Sequence, residues 1–150
     1  MGTCGCKSGP SPAVALIEDQ LDCIEAVFPG THFVCVLGPM PKSELLASRV
    51  VDEAHKPDEV IPLITHLKRV AAHFANTLES KSVDCSTIHI KGAKSIFSCY
   101  NVEGSNLLAF YSTMHGAELE AFDLAAADAA MVPIIDELSV LVATMPASKR

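Results

Sequence analysis

Residues 86–113 read STIHI (86–90), KGAK (91–94), SIFSCYNV (95–102), EGSN (103–106) and LLAFYST (107–113). Three runs rich in Ile, Phe, Tyr, Val and Thr alternate with two short polar breaks. Such side chains suit a pleated, half-buried surface. Gly92 in the first break, and Gly104 with Asn106 in the second, supply the chemistry of hairpin turns. The pattern predicts a three-stranded antiparallel meander between Asp84 and Met114. In its first strand Ile88 and Ile90 share one face, and Thr87 and His89 the other. In the second, Phe97 and Cys99 oppose Ile96, Ser98 and Tyr100. The LLAFY run is apolar on both sides, which places it centrally with both faces covered. The run at Ser86–Ile90 is more polar and reads as an edge.

Upstream of the meander, Val14, Ile17, Leu21, Ile24 and Phe28 recur at spacings of three and four. They predict one amphipathic helix over 12–28, capped by Ser11 with Pro12 in its first turn and stopped at Pro29-Gly30. THFVCVLG (31–38) predicts a strand, and ELLASRVV (44–51) a second one antiparallel to it, with helix as the rival reading there because Glu, Leu and Ala are helix formers. A long helix over 57–80 opens on Pro57-Asp58-Glu59, with acidic groups at the positive end of its dipole. Val60, Ile64, Leu67, Ala71, Phe74 and Leu78 set its apolar face, which Leu63 and Val70 widen. His66 and His73 are seven apart and lie on one side, a spacing poorly suited to a shared metal. Downstream, 117–145 reads as helix, with Leu119, Phe122, Ala126, Ala129 and Val132 on one face. Pro133 is expected to kink or break it, and Ile134, Leu138, Leu141 and Val142 continue the apolar stripe.

The 150 residues suit one domain, with 49% hydrophobic and 19% charged side chains. We divide the chain into a tail (1–11), a domain (12–145) and a short C-terminal tail (146–150). A net charge of −7 and a pI near 5.2 argue against nucleic acid as the main partner. Of six cysteines, Cys23, Cys35, Cys85 and Cys99 fall in apolar periodic segments and are expected to be buried thiols. The tail, MGTCGCKSGPS, has two functional readings. Gly2 can accept myristate and Cys4 and Cys6 palmitate, although Cys6 stands where the acylation pattern prefers Ser or Thr. Alternatively Cys4-x-Cys6 binds metal or acts as a thiol. No apolar run has signal-peptide or membrane-spanning length. There is no Walker loop, G-x-G-x-x-G or G-x-S-x-G. Adjacent carboxylates such as Asp52-Glu53 and Asp136-Glu137 read as solvated faces. Cys85 and His89 share a strand face but make a weak catalytic pair. No enzyme activity, cofactor or metal is expected.

Helix, strand, strand, helix, three strands and helix make an order that resembles the roadblock family, which includes the roadblock-type dynein light chains. The resemblance covers about residues 12–142. It rests on ALIEDQLDCIEAVFPGTHFVCVLG (15–38), LLAS (45–48), the long helix and the meander. AAMVPIIDELSVLV (129–142) is similar to the last helix of one branch, the MAP-kinase scaffold subunits of the late-endosomal Ragulator complex. GPMPKSE (38–44) departs from the family's commoner Asp-Gly turn. The resemblance implies an α+β domain, a five-stranded antiparallel sheet with helices on both faces, and a non-catalytic scaffold. It implies homo- or heterodimers joined through edge strands and long helices, and partners among small GTPases, kinases or dynein. Carried to this chain, the pairing surface is Ile64, Leu67, Ala71, Phe74, Thr87 and His89. A cytoplasmic location follows, extended by acylation to the cytoplasmic face of an endosomal or plasma membrane.

Overall fold

A computed structural model describes residues 12–39, 42–50, 57–79 and 87–145. The elements run α1 (Pro12–Asp22), α2 (Ile24–Val27), β1 (Thr31–Leu37), β2 (Leu45–Val50) and α3 (Pro57–Glu79). After them come β3 (Thr87–Lys91), β4 (Ser95–Val102), β5 (Asn106–Thr113), α4 (Gly116–Ala121) and α5 (Leu124–Ala143). The five strands form one sheet in the order β2-β1-β5-β4-β3, with every neighbouring pair antiparallel. The meander is therefore present, β5 is the central strand, and β3 is an edge. Both proposed tails lie outside the described residues.

Two cores follow from the period-two alternation of the strands. Val34, Val36, Ile96, Tyr100, Val102, Leu108 and Phe110 point to the side covered by α1, α2, α4 and α5. Phe33, Cys35, Leu37, Cys99, Leu107 and Ala109 point to the other side, where α3 supplies Ile64. Among the described residues helices thus cover both faces, one of them by α3 alone.

Several local expectations need correction. The first helix is not continuous but breaks at Cys23, whose thiol is exposed. Cys35 and Cys99 are buried as expected, and Cys85 lies outside the described residues. The last helix breaks at Phe122-Asp123 and not at Pro133. There the Asp123 carboxylate accepts the Ala126 N–H and opens α5 as its N-cap. Pro133 sits inside α5 on its solvent side, where water can take the carbonyl freed at Ala129. Because the helix restarts at Leu124, the predicted face shifts. Ala126, Ala129 and Val132 are exposed, and Ala127, Met131, Ile134, Leu138, Leu141 and Val142 are buried. In the second hairpin Ser105 takes the positive φ of 70°, and the Asn106 side-chain amide donates to the Glu103 carbonyl to close the turn. Gly30 has φ +79°, and a Cβ there would collide with the Thr113 carbonyl oxygen. Only glycine lets β1 start that close to the end of β5.

Candidate docking surface

The helix α3 is apolar around more than half of its circumference, and the sheet uses only part of that. Ile64 is 2% exposed and packs with Val60 and Ile61 against the sheet. Two polar ties fix the rotation of the helix. The Thr65 hydroxyl donates to Ser43 Oγ at 2.9 Å, and the buried Lys68 Nζ donates to Asn101 Oδ1 at 2.7 Å. With that rotation set, Leu63, Val70, Phe74 and Leu78 face outward, 68%, 50%, 64% and 68% exposed. Half-buried Leu67 and Ala71 join them to the covered side. Spacings of three and four make this one continuous stripe. Four large side chains in a row approach the few hundred Å² of apolar surface beyond which a patch usually marks an interaction site.

The stripe has a neighbour on the same sheet face. Ile90, Phe97, Tyr111 and Phe33 lie in register across β3, β4, β5 and β1. Phe33 is buried, Phe97 and Tyr111 are half-buried, and Ile90 on the edge strand is 47% exposed. The helix α3 and the exposed Ile90 of the β3 border therefore lie on the same sheet face.

The predicted interface residues separate on this geometry. Phe74 is on the outer stripe, Leu67 and Ala71 are at its margin, and Thr87 is exposed at the start of β3. Ile64 is corrected to a core position beneath the helix. His89 is also corrected, because its side chain turns into its own domain. Thr87, His89 and Lys91 share the sheet face that α5 covers, and His89 is drawn inward by partners there. Its Nε2 lies 2.9 Å from Asp128 Oδ1, and its Nδ1 lies 2.8 Å from Ser98 Oγ. A carboxylate only accepts, so Nε2 carries a proton, and in the neutral ring Nδ1 receives the Ser98 hydroxyl. Tyr100 Oη donates to the same Asp128 oxygen at 2.7 Å. Ser98, His89 and Asp128 have the residue types of a hydrolytic triad. Ser98 is 0% exposed, however, and its hydroxyl is spent on the ring, so the chain of bonds clamps α5 to the edge strand. Leu63, Val70 and Leu78 were legible as apolar helix positions, but their exposure was not. Ile90 needed the register.

Burial pushes the Tyr100 phenol above its ordinary range, and the hydrogen bond to Asp128 and that group's negative charge add to the effect. The sign follows from linkage. Above about pH 10 the unfolded chain ionises this tyrosine while the folded chain keeps its proton, so stability falls as pH rises. Tyr100→Phe should cost about 1.5–3 kcal/mol at pH 7, the scale of one hydrogen bond to a charged acceptor. The gap from wild type should narrow between about pH 9 and 11 in urea melts. A gap independent of pH would count against the Tyr100–Asp128 bond.

Other features offer less chemistry. A cleft of about 260 Å³ is lined by Leu21, Asp22, Glu25, Thr31, Val34 and Arg49. Arg49 bonds Asp22 through Nε at 2.8 Å and lies 3.8 Å from Glu18, so its charge is already met. That hydrogen bond holds the Asp22 carboxyl below the usual carboxylate range. Among the described residues no group of three or more His, Cys, Asp or Glu could hold a metal ion. No described helix is long and apolar enough to cross a membrane. Gly2, Cys4 and Cys6 lie outside the described residues.

Solved structures share this architecture. The gliding protein MglB of Thermus thermophilus is 13% identical, covers 91% of this chain and 99% of its own, and superposes with a TM-score of 0.68. An MglB described with a tetrameric arrangement is 13% identical, with 89% and 96% covered and a TM-score of 0.66. The Roadblock/LC7 domain from Streptomyces avermitilis is 12% identical, with 82% and 94% covered and a TM-score of 0.60. Neither a protein-family model nor a curated protein matches the sequence. At these identities the likeness is one of fold, and the fold is that of the roadblock/LC7 domains.

Proposed function

We propose that this chain is a non-catalytic adaptor that works as half of a dimer of roadblock-type folds. The observation that carries the reading is the exposed stripe Leu63, Val70, Phe74 and Leu78 on a helix whose rotation is already fixed. Covering it with another apolar helix removes surface from water at no conformational cost to the sheet. The edge strand β3, on the same side, can extend the sheet into a neighbour. One MglB with this fold is described in a tetrameric arrangement, which supports an associating role. Within that role, the adaptor brings a small GTPase, kinase or dynein component to its partner subunit. Native sedimentation of wild type against a stripe variant, Phe74→Gln, tests the reading.

The adaptor is tethered to the cytoplasmic face of an endosomal or plasma membrane, as in a Ragulator-like assembly. Myristate on Gly2 alone binds weakly, and palmitate on Cys4 or Cys6 would make the attachment stable. A myristate analogue should label the chain in cells, and Gly2→Ala should abolish the label and release the protein from membranes. Unchanged membrane recovery in Gly2→Ala would remove the tether from the proposal. If Cys4 and Cys6 instead hold metal, stoichiometric metal would be lost on changing both to Ser.

A further inference from the structure

The docking stripe has a charge signature. From Val60 to Leu78 the chain carries His66, Lys68, Arg69 and His73 and no carboxylate. Lys68 is buried and bonded to Asn101, so it does not reach the stripe. His66, Arg69 and His73 are exposed. Spaced three and four apart, they line one flank of Leu63, Leu67, Val70, Phe74 and Leu78. The opposite flank, Val60 and Ala71, runs down into the sheet. On the other face of the domain the pattern reverses. Residues 12–28 hold four carboxylates and residues 116–145 hold six, with no Lys or Arg in either segment. A chain of net charge −7 thus carries no acidic group on α3 between Val60 and Leu78, where the exposed stripe lies.

A second copy laid on this face by a two-fold axis would bring α3 against α3. Each flank would meet another Arg69 and two more imidazoles, and the nearest described carboxylate, Glu59, stands at its N-terminal end, one turn before Leu63. Asp58 and Glu59 sit in the first turn of α3, beyond the stripe's middle. Like charges across an interface select against a partner even where each contributes modestly. Resting on the docking reading above, we infer that α3 receives a different polypeptide and not a copy of itself. The partner presents an amphipathic helix whose apolar stripe is edged by Asp or Glu. Those carboxylates meet His66, Arg69 and His73, and the guanidinium of Arg69 supplies a two-pronged donor for one of them.

Two synthetic amphipathic helices with the same leucine stripe, one edged with Glu and one with Lys, test this by fluorescence anisotropy on the full chain. The Glu-edged peptide should bind at least about tenfold tighter than the Lys-edged one, and Arg69→Glu should erase or invert that preference. Phe74→Gln should weaken both. In sedimentation equilibrium the chain alone should run as a monomer at concentrations that saturate the Glu-edged peptide. Equal binding of the two peptides, both lost in Phe74→Gln, would overturn the charge inference and leave the docking stripe standing. So would a tight dimer of the chain alone that Arg69→Glu leaves unchanged. Growth past dimer, with the acidic layer of one copy on α3 of the next, would also overturn it. Binding of neither peptide, with no effect of Phe74→Gln on native assembly, would remove the docking surface itself.

Discussion

Phe74→Gln should release the chain from its native assembly while leaving its fold intact. In sedimentation of native extract the wild-type protein should travel with a mass well above its own 15.9 kDa, and the variant near that value. Phe74 is 64% exposed in the isolated domain, so its loss removes little from the monomer's core. Glutamine is a good helix former, so α3 keeps its backbone preference. The change in monomer stability should stay within about 0.5 kcal/mol, as for other exposed positions. At a dimer interface the same ring would be a buried aromatic anchor. Truncating such an anchor costs about 2 kcal/mol or more, roughly thirtyfold or more in affinity. Burying a glutamine amide without a partner adds to that loss. If the variant sediments with the wild type, α3 is not the contact.

Phe28→Ala should do the reverse and weaken the fold. Phe28 is 0% exposed and stands where α2 meets the sheet and the last helices. Its ring lies 4.7 Å from that of Phe110, 5.2 Å from that of Phe122 and 6.2 Å from that of His89. Removing it leaves a cavity among rings that cannot all move inward. A loss of about 3–5 kcal/mol is expected, against a typical domain stability of about 5–15 kcal/mol. The urea midpoint should fall sharply with little change in slope. The clamp of His89 on Asp128 should loosen with it, since Phe28 walls one side of the imidazole. A loss below about 1 kcal/mol would mean that the ring's neighbours collapse into the space, contrary to the close packing described.

The strands could be read in the chain because alternation and turn residues are local. LLAFY between polar breaks has few fates other than a covered central strand. The breaks at Cys23 and Phe122-Asp123 were not visible, because each interrupts an otherwise continuous apolar pattern, the second at the Asp123 cap. Asp123 was not singled out in the sequence, where Pro133 gave the louder signal for a break. The docking surface was half legible. A period of 3.6 finds the apolar positions of α3, yet the split between sheet and solvent depends on Thr65 meeting Ser43 and Lys68 meeting Asn101. Both are long-range pairings that periodicity does not contain. His89 was misplaced for the same reason. A polar residue on an edge strand reads as solvent-facing until Asp128, on a helix far along the chain, is seen above it.

The strand order also governs when the molecule can come together as it is made. Leu37 of β1 pairs with Leu107 of β5, and β5 lies between β1 and the rest of the meander. The first hairpin must therefore wait on the ribosome, for several seconds at ordinary elongation rates, until its sheet neighbour emerges. During that interval the inner border of β1 and the greasy undersides of α1 and α3 are open to wrong company. Newly made chains, more than finished ones, are where a chaperone would find this protein in need.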